Sequence, residues 1–231
     1  MSDNIDKGMK AILARMLTTL ERKVDPAHTA LLVMDVQNDF CAEGGAFDKD
    51  GRDVNLLQAM VPNLINFIKR ARQAGLPIIF SRSIHSSESS HYLSDSYVEQ
   101  GTRRSKQRYI EYPVCKKDSW GAEFFKGIDS LPGDVVITKH RFSAFMDTDL
   151  ELVLRSKGIR TVIVTGMATN VCVETTAREG FCRDYYMVVL RDCTSTYSEE
   201  LHNNALDTID QVFGEVADSG DVIKCWQKAR S

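Results

Sequence analysis

Apolar positions recur along the chain at two different spacings, and the switching between them predicts the elements. Met9, Ile12, Leu13, Met16, Leu17 and Leu20 fall at helical spacing, which predicts an amphipathic helix ahead of the main domain. Its apolar face needs cover from the domain or from a neighbouring subunit. After DPAHT, the run ALLVMDV is apolar on both faces and too short for a helix that ends at Asp35, so it reads as a buried strand. VNLLQAMVPNLINFIKRARQAG follows as a helix closed by Gly75, and LPIIFSRS as a second strand. Residues 84–118 show no sustained period and are dense in Ser, Tyr and charge, the pattern of a lid or binding loop or of disorder.

The alternation then resumes. DVVITK is a third strand and TDLELVLRSKG a helix; TVIVTG is a fourth strand and NVCVETTAREGFCRD a helix. YYMVVLRD is a fifth strand, SEELHNNALDTIDQV a helix, and GEVAD a short last strand followed by SGDVIKCWQKA. Strand and helix in strict alternation call for one α/β domain, a parallel sheet with helices on both faces. The expected division is a helical extension over residues 1–24 and the domain over 25–231.

Composition narrows the function. The 231 residues carry 29 Lys and Arg against 32 Asp and Glu, a net charge of −3 with both signs interspersed, so there is no basic stripe for nucleic acid or anionic lipid. No apolar run is long enough to span a bilayer. The start, MSDNIDKGMKAILARM, lacks the basic segment and apolar core of a secretory signal, and a cytoplasmic protein acting on a small molecule is expected. The six cysteines are too sparse for a disulfide framework, and no Cys-x-x-Cys pair suggests structural zinc.

Parallel sheets bind ligands beyond the carboxyl ends of their strands. Asp35 closes the first strand, Lys139 closes the third, and Cys172 lies just past the fourth on the opening turn of a helix, so a carboxylate, an ammonium and a thiol converge on one sheet edge. A helix tip and a nearby Lys lower a cysteine pKa, and a carboxylate can accept the thiol proton. Each residue taken singly has a structural reading: a buried Cys as a small hydrophobe, a strand-end Asp as a turn cap, a Lys as a solvated charge.

LLVMDVQNDF, ITKHRFSAFMDTDLELVLRSKGI and VTGMATNVCVETTAREGF together resemble the isochorismatase-like cysteine hydrolase superfamily, in order and spacing, over about residues 28–217. The resemblance implies a three-layer α/β/α fold with a six-stranded parallel sheet, and a catalytic triad of Asp35, Lys139 and Cys172. It also implies a non-proline cis peptide between Met167 and Ala168, which aims the Ala168 N–H, with that of Cys172, at a developing oxyanion. No cofactor and no metal are implied, and a homodimer or homotetramer is. Isochorismatases proper lack a nucleophilic cysteine at this position, which favours amide-type C–N cleavage.

Nicotinamidases of the superfamily carry an Asp-x-His…His metal set after the second strand. Here His85 and His91 are present, but Ser83 stands where the Asp would be, and the two histidines read as exposed or substrate-contacting. SWGAEF, PGDVVITKHRFSAF and TDLELVLRSKGIRTVIVTG resemble the ureido and carbamoyl hydrolases, which commonly have Tyr where Phe142 stands. The expected activity is hydrolysis of a small ureido, carbamoyl or primary amide substrate with release of ammonia. A nicotinamidase-like amidase and a thiol redox or sensing protein are the alternatives. Substrate contacts are assigned to Ser83, His85, Phe142 and Phe40, with Arg82 nearby and Phe145 either a pocket wall or structural. Arg103, Arg104, Lys106 and Arg108 form a basic run open to a carboxylate or to solvent, and Trp120 is expected to pack the lid down.

Overall fold

A computed structural model describes residues 6–85, 91–104 and 113–228. Six parallel strands form one sheet: β1 (Thr29–Met34), β2 (Ile78–Ser83), β3 (Val135–Lys139), β4 (Thr161–Met167), β5 (Tyr186–Ser195) and β6 (Glu215–Ala217), in the order β3-β2-β1-β4-β5-β6. The helices are α1 (Lys7–Arg15), α2 (Asn55–Ala74), α3 (Asp95–Arg104), α4 (Leu150–Ser156), α5 (Glu174–Cys182), α6 (Glu199–Thr208) and α7 (Ser219–Lys228), besides single turns.

β1 is buried at every position, which is why its sequence shows no polar alternation. Leu31 and Val33 join the core under α2 and α7, whereas Ala30, Leu32 and Met34 face the core under α4, α5 and α6. Helices therefore cover both faces. α2 ends at Gly75 in the left-handed conformation (φ 84°), the helix stop that its sequence predicts.

Strand order reverses at β1, with β2 on one side and β4 on the other. This switch point opens a crevice beyond the carboxyl ends of β1 and β4. At its edge, β4 passes so close to β1 that a Cβ at Gly166 (φ +94°) would lie 2.1 Å from the Met34 carbonyl oxygen. Gly166→Ala should therefore lower unfolding free energy by at least about 2 kcal/mol, read from urea melts, because both the clash and the left-handed backbone act against alanine.

Three elements differ from the sequence reading. The leading helix stops at Arg15, and Met16 turns extended, so Leu17 is buried while Met9, Ile12, Leu13 and Met16 stay exposed. Arg160 Nη2 donates to the Arg15 carbonyl and the Leu17 N–H donates to Tyr186 Oη, tying the segment to the domain. The aperiodic stretch contains α3, whose DSYVEQGTRR has too few apolar residues to show a period. β5 runs three residues past its predicted end, with a register shift against β4 between Val164 and Gly166.

Candidate active site

The first functional side chain leaves the sheet on a left-handed turn. Asp35 (φ 53°) follows β1, its N–H donates to the Ser81 carbonyl, and its own carbonyl accepts from Gln37 N–H. Asp35 is fully buried, and its Oδ1 accepts the Ser81 hydroxyl at 2.8 Å. Gln37 locks the neighbouring loop: Nε2 donates to the Ser83 and Ala122 carbonyls and Oε1 accepts from Ser83 N–H.

Lys139 reaches the same point from two strands away. The small serines Ser81 and Ser83 of the intervening β2 leave room for the long side chain, Ser83 lying in register with Lys139. Its Nζ lies 2.8 Å from Asp35 Oδ2, 3.0 Å from the Arg141 carbonyl and 3.4 Å from Cys172 Sγ. The ammonium thus donates to the carbonyl and the sulfur while the carboxylate stands within ion-pair distance. Burial opposes the charge on Lys139, but Asp35 and Cys172 outweigh it and hold the pKa above its ordinary value.

Cys172 sits in a π-helical turn, Thr169–Val173, that leads into α5. Such turns recur at functional sites. The Met167–Ala168 peptide bond just before it is cis. The thiol pKa runs opposite to the helix-tip expectation: burial pushes it up to about 12, Asp35 adds to the rise, and Lys139 opposes it. Desolvation of the anion exceeds the pull of the ammonium.

A cavity of about 1070 Å³ opens beside the sulfur, with Asp35, Ala168 and Cys172 on its wall. Of the residues assigned to substrate, Phe40, His85 and Phe142 line it and Ser83 does not. Ser83 is fully buried: its backbone N–H and carbonyl are tied to the Gln37 side chain, and its hydroxyl has no hydrogen-bond partner among the described residues. His85 Nδ1 is 2.9 Å from Tyr97 Oη, and burial, then Lys139, lowers its pKa to about 3, so the ring is neutral. His91 is exposed.

Phe145 packs into the core under α4 and α5, stacked on Tyr185. Trp120 is 52% exposed, so it does not pin the loop; its carbonyl instead accepts from Asn38 Nδ2. Arg103 is exposed and pairs with Glu99, while Lys106 and Arg108 lie outside the described residues. Tyr97, Arg141, Asp50, Arg52 and Tyr197 line the cavity although the sequence singled out none of them. Each lies on a loop or a helix without a period, and only tertiary contact brings it to the crevice. All six cysteines are free thiols.

The isochorismatase domain model matches residues 29–221. The chain is 35% identical over 211 residues to ureidoacrylate amidohydrolase RutB of Methylobacterium radiotolerans, covering 84% of this chain and 78% of that one. Among solved structures, a cysteine hydrolase from Pseudomonas syringae pv. phaseolicola superposes with TM-score 0.76 at 27% identity, covering 90% of this chain and 96% of that one. N-carbamoylsarcosine amidase from Thermoplasma acidophilum superposes with TM-score 0.65 at 26% identity, over 83% and 96%.

Proposed function

The chain belongs to the isochorismatase family of hydrolases, and from that premise we propose that it is a cysteine-dependent amidohydrolase. It cleaves the C–N bond of a small ureido, carbamoyl or primary amide substrate through a thioester and releases ammonia. One observation carries the reading: Cys172 Sγ stands 3.4 Å from a Lys139 ammonium that is itself 2.8 Å from Asp35, beside a cavity large enough for a small molecule. The names of the two similar amidohydrolases support the bond type.

Burial holds the Cys172 thiol pKa well above that of a free thiol, so a standing thiolate is not the reactive species. The proton leaves as the sulfur attacks. Asp35 accepts it, and Lys139 keeps the carboxylate aimed and offsets the negative charge that passes through the site. The backbone N–H groups of Ala168 and Cys172 stabilise the tetrahedral oxyanion, each such donor being worth on the order of a hundredfold in rate. Protonated Asp35 then delivers its proton to the leaving nitrogen, ammonia departs, and the same carboxylate activates water against the thioester. Phe40, His85 and Phe142 hold the substrate. Every step draws on the chain's own side chains and backbone.

Ammonia release measured across ureides, carbamoyl amino acids, nicotinamide and simple amides tests this. Turnover of at least one class with an acyl adduct on Cys172 is expected; silence on all of them with no adduct overturns it. Free thiols throughout fit a reducing compartment such as the cytoplasm.

The exposed Met9, Ile12, Leu13 and Met16 support assembly into a homodimer or homotetramer, in which a second copy covers α1. Deleting residues 1–23 should reduce the mass seen by light scattering or lower the melting temperature by several degrees. An unchanged mass and melting temperature would remove the assembly role.

A further inference from the structure

The cavity wall carries a second polar group that the reaction steps do not use. Arg52 rests its guanidinium 4.0 Å from the centre of the Phe47 ring and 5.3 Å from that of Tyr197, and its Nε lies 3.2 Å from Asp50 Oδ2. The Asp50 side chain is only 10% exposed. Its other oxygen, Oδ1, and the Tyr197 hydroxyl are both buried without a hydrogen-bond partner among the described residues. All three side chains line the cavity.

An ion pair that served folding alone would turn its remaining donors and acceptors onto the protein, since an unpaired buried polar atom loses its hydration without compensation. Here Asp50 Oδ2 is committed to Arg52 Nε, while Asp50 Oδ1 and the Tyr197 hydroxyl are left without a partner among the described residues. Two aromatic rings hold the guanidinium in place, which prepares its free N–H groups for a partner at little entropic cost. Burial pushes the Tyr197 hydroxyl pKa well up, so it remains an O–H donor.

Arg52 and Tyr197 thus bring N–H and O–H donors beside one lone acceptor, Asp50 Oδ1, at the cavity wall. Resting on the amidohydrolase reading, we infer that Asp50, Arg52 and Tyr197 bind the end of the substrate remote from the scissile bond, and that this end is a neutral carboxamide, ureido or imide group. Its carbonyl oxygen accepts from Arg52 and Tyr197, and its N–H donates to Asp50 Oδ1. A carboxylate fits less well. It would satisfy the donors, but it brings no proton for Asp50 and sets two anions beside one cation already paired. Arg141, the other guanidinium on the wall, commits Nη1 to the Tyr92 and His140 carbonyls.

Calorimetric titration of Cys172→Ala with N-carbamoylglycinamide and N-carbamoylglycine, which differ only at the remote end, tests the assignment without turnover. The amide should bind at least about tenfold tighter. Adding Asp50→Asn should cut that ratio at least about tenfold, because the Asn oxygen must face Arg52 Nε and its NH₂ then takes the place of the acceptor. Adding Tyr197→Phe, which leaves the ion pair intact, should weaken amide binding severalfold. Equal or tighter binding of the acid, as recognition through Arg141 would give, overturns the inference; so does binding of neither compound, or a ratio that both second substitutions leave unchanged. Wild-type ammonia release is scored separately. Turnover without amide preference sinks only the remote-end assignment, and amide preference without turnover of any substrate sinks only the hydrolase reading.

Discussion

Cys172→Ala should lower kcat for ammonia release by at least about 10⁴ while the fold stays intact, because the proposed reaction runs through a covalent intermediate on its sulfur. The substitution removes one buried sulfur from a cavity wall, and the remaining oxyanion donors act only on a direct attack by water. Cys172→Ser should be nearly as inactive. A hydroxyl in the same place is a far weaker acid than a thiol, and a burial that already pushes the thiol to about 12 disfavours an alkoxide more strongly still. Ammonia release followed against a folded control, with mass spectrometry for the acyl adduct, checks both. Retention of more than a tenth of the wild-type rate by the alanine variant would remove Cys172 as nucleophile.

Lys139→Met should cost both activity and stability, and the two losses can be separated. The ion pair with Asp35 is fully enclosed, so removing the ammonium leaves a carboxylate buried without its counter-charge. Breaking one side of such a pair costs about 3–5 kcal/mol, whereas replacing both members by neutral groups costs much less. The double variant Asp35→Asn with Lys139→Met should therefore recover most of the urea midpoint that the single change loses. It should recover none of the activity, since no base remains to take the thiol proton. A single variant as stable as the wild type would show that the pair is not held as the geometry has it. A double variant that regained turnover would remove the acid–base role of Asp35.

The positions of Asp35, Lys139 and Cys172 were readable because each is tied to the end of a strand with an unmistakable apolar run, and a parallel sheet brings such ends together wherever the connections go. Ser83 shows the limit of that logic. It also ends a strand, but it is fully buried with its backbone tied to the Gln37 side chain, so a strand-end position alone does not bring a side chain to the cavity wall. The thiol pKa fails for a related reason. A helix end and a lysine are local features, whereas the cost of burying a thiolate depends on the whole surrounding shell. α3 was hidden because only Tyr97 and Val98 in its ten residues are large and apolar; what the helix contributes is a stretch of cavity wall and the Tyr97 ring and hydroxyl beside His85 and Phe142.

Local pattern alone determined the alternation of strands and helices, the face that each presents, and the meeting of a carboxylate, an ammonium and a thiol at one edge of the sheet. Periodicity is a property of neighbours in the chain, and strand ends inherit their place from the sheet. Tertiary structure decided which oxygen meets the ammonium, how dry the sulfur is, and that Asp50 and Arg52 share a cavity wall with it and with Tyr197, about 145 residues further along the chain. Those outcomes depend on distance and solvent exclusion, which arise only once distant segments have packed together.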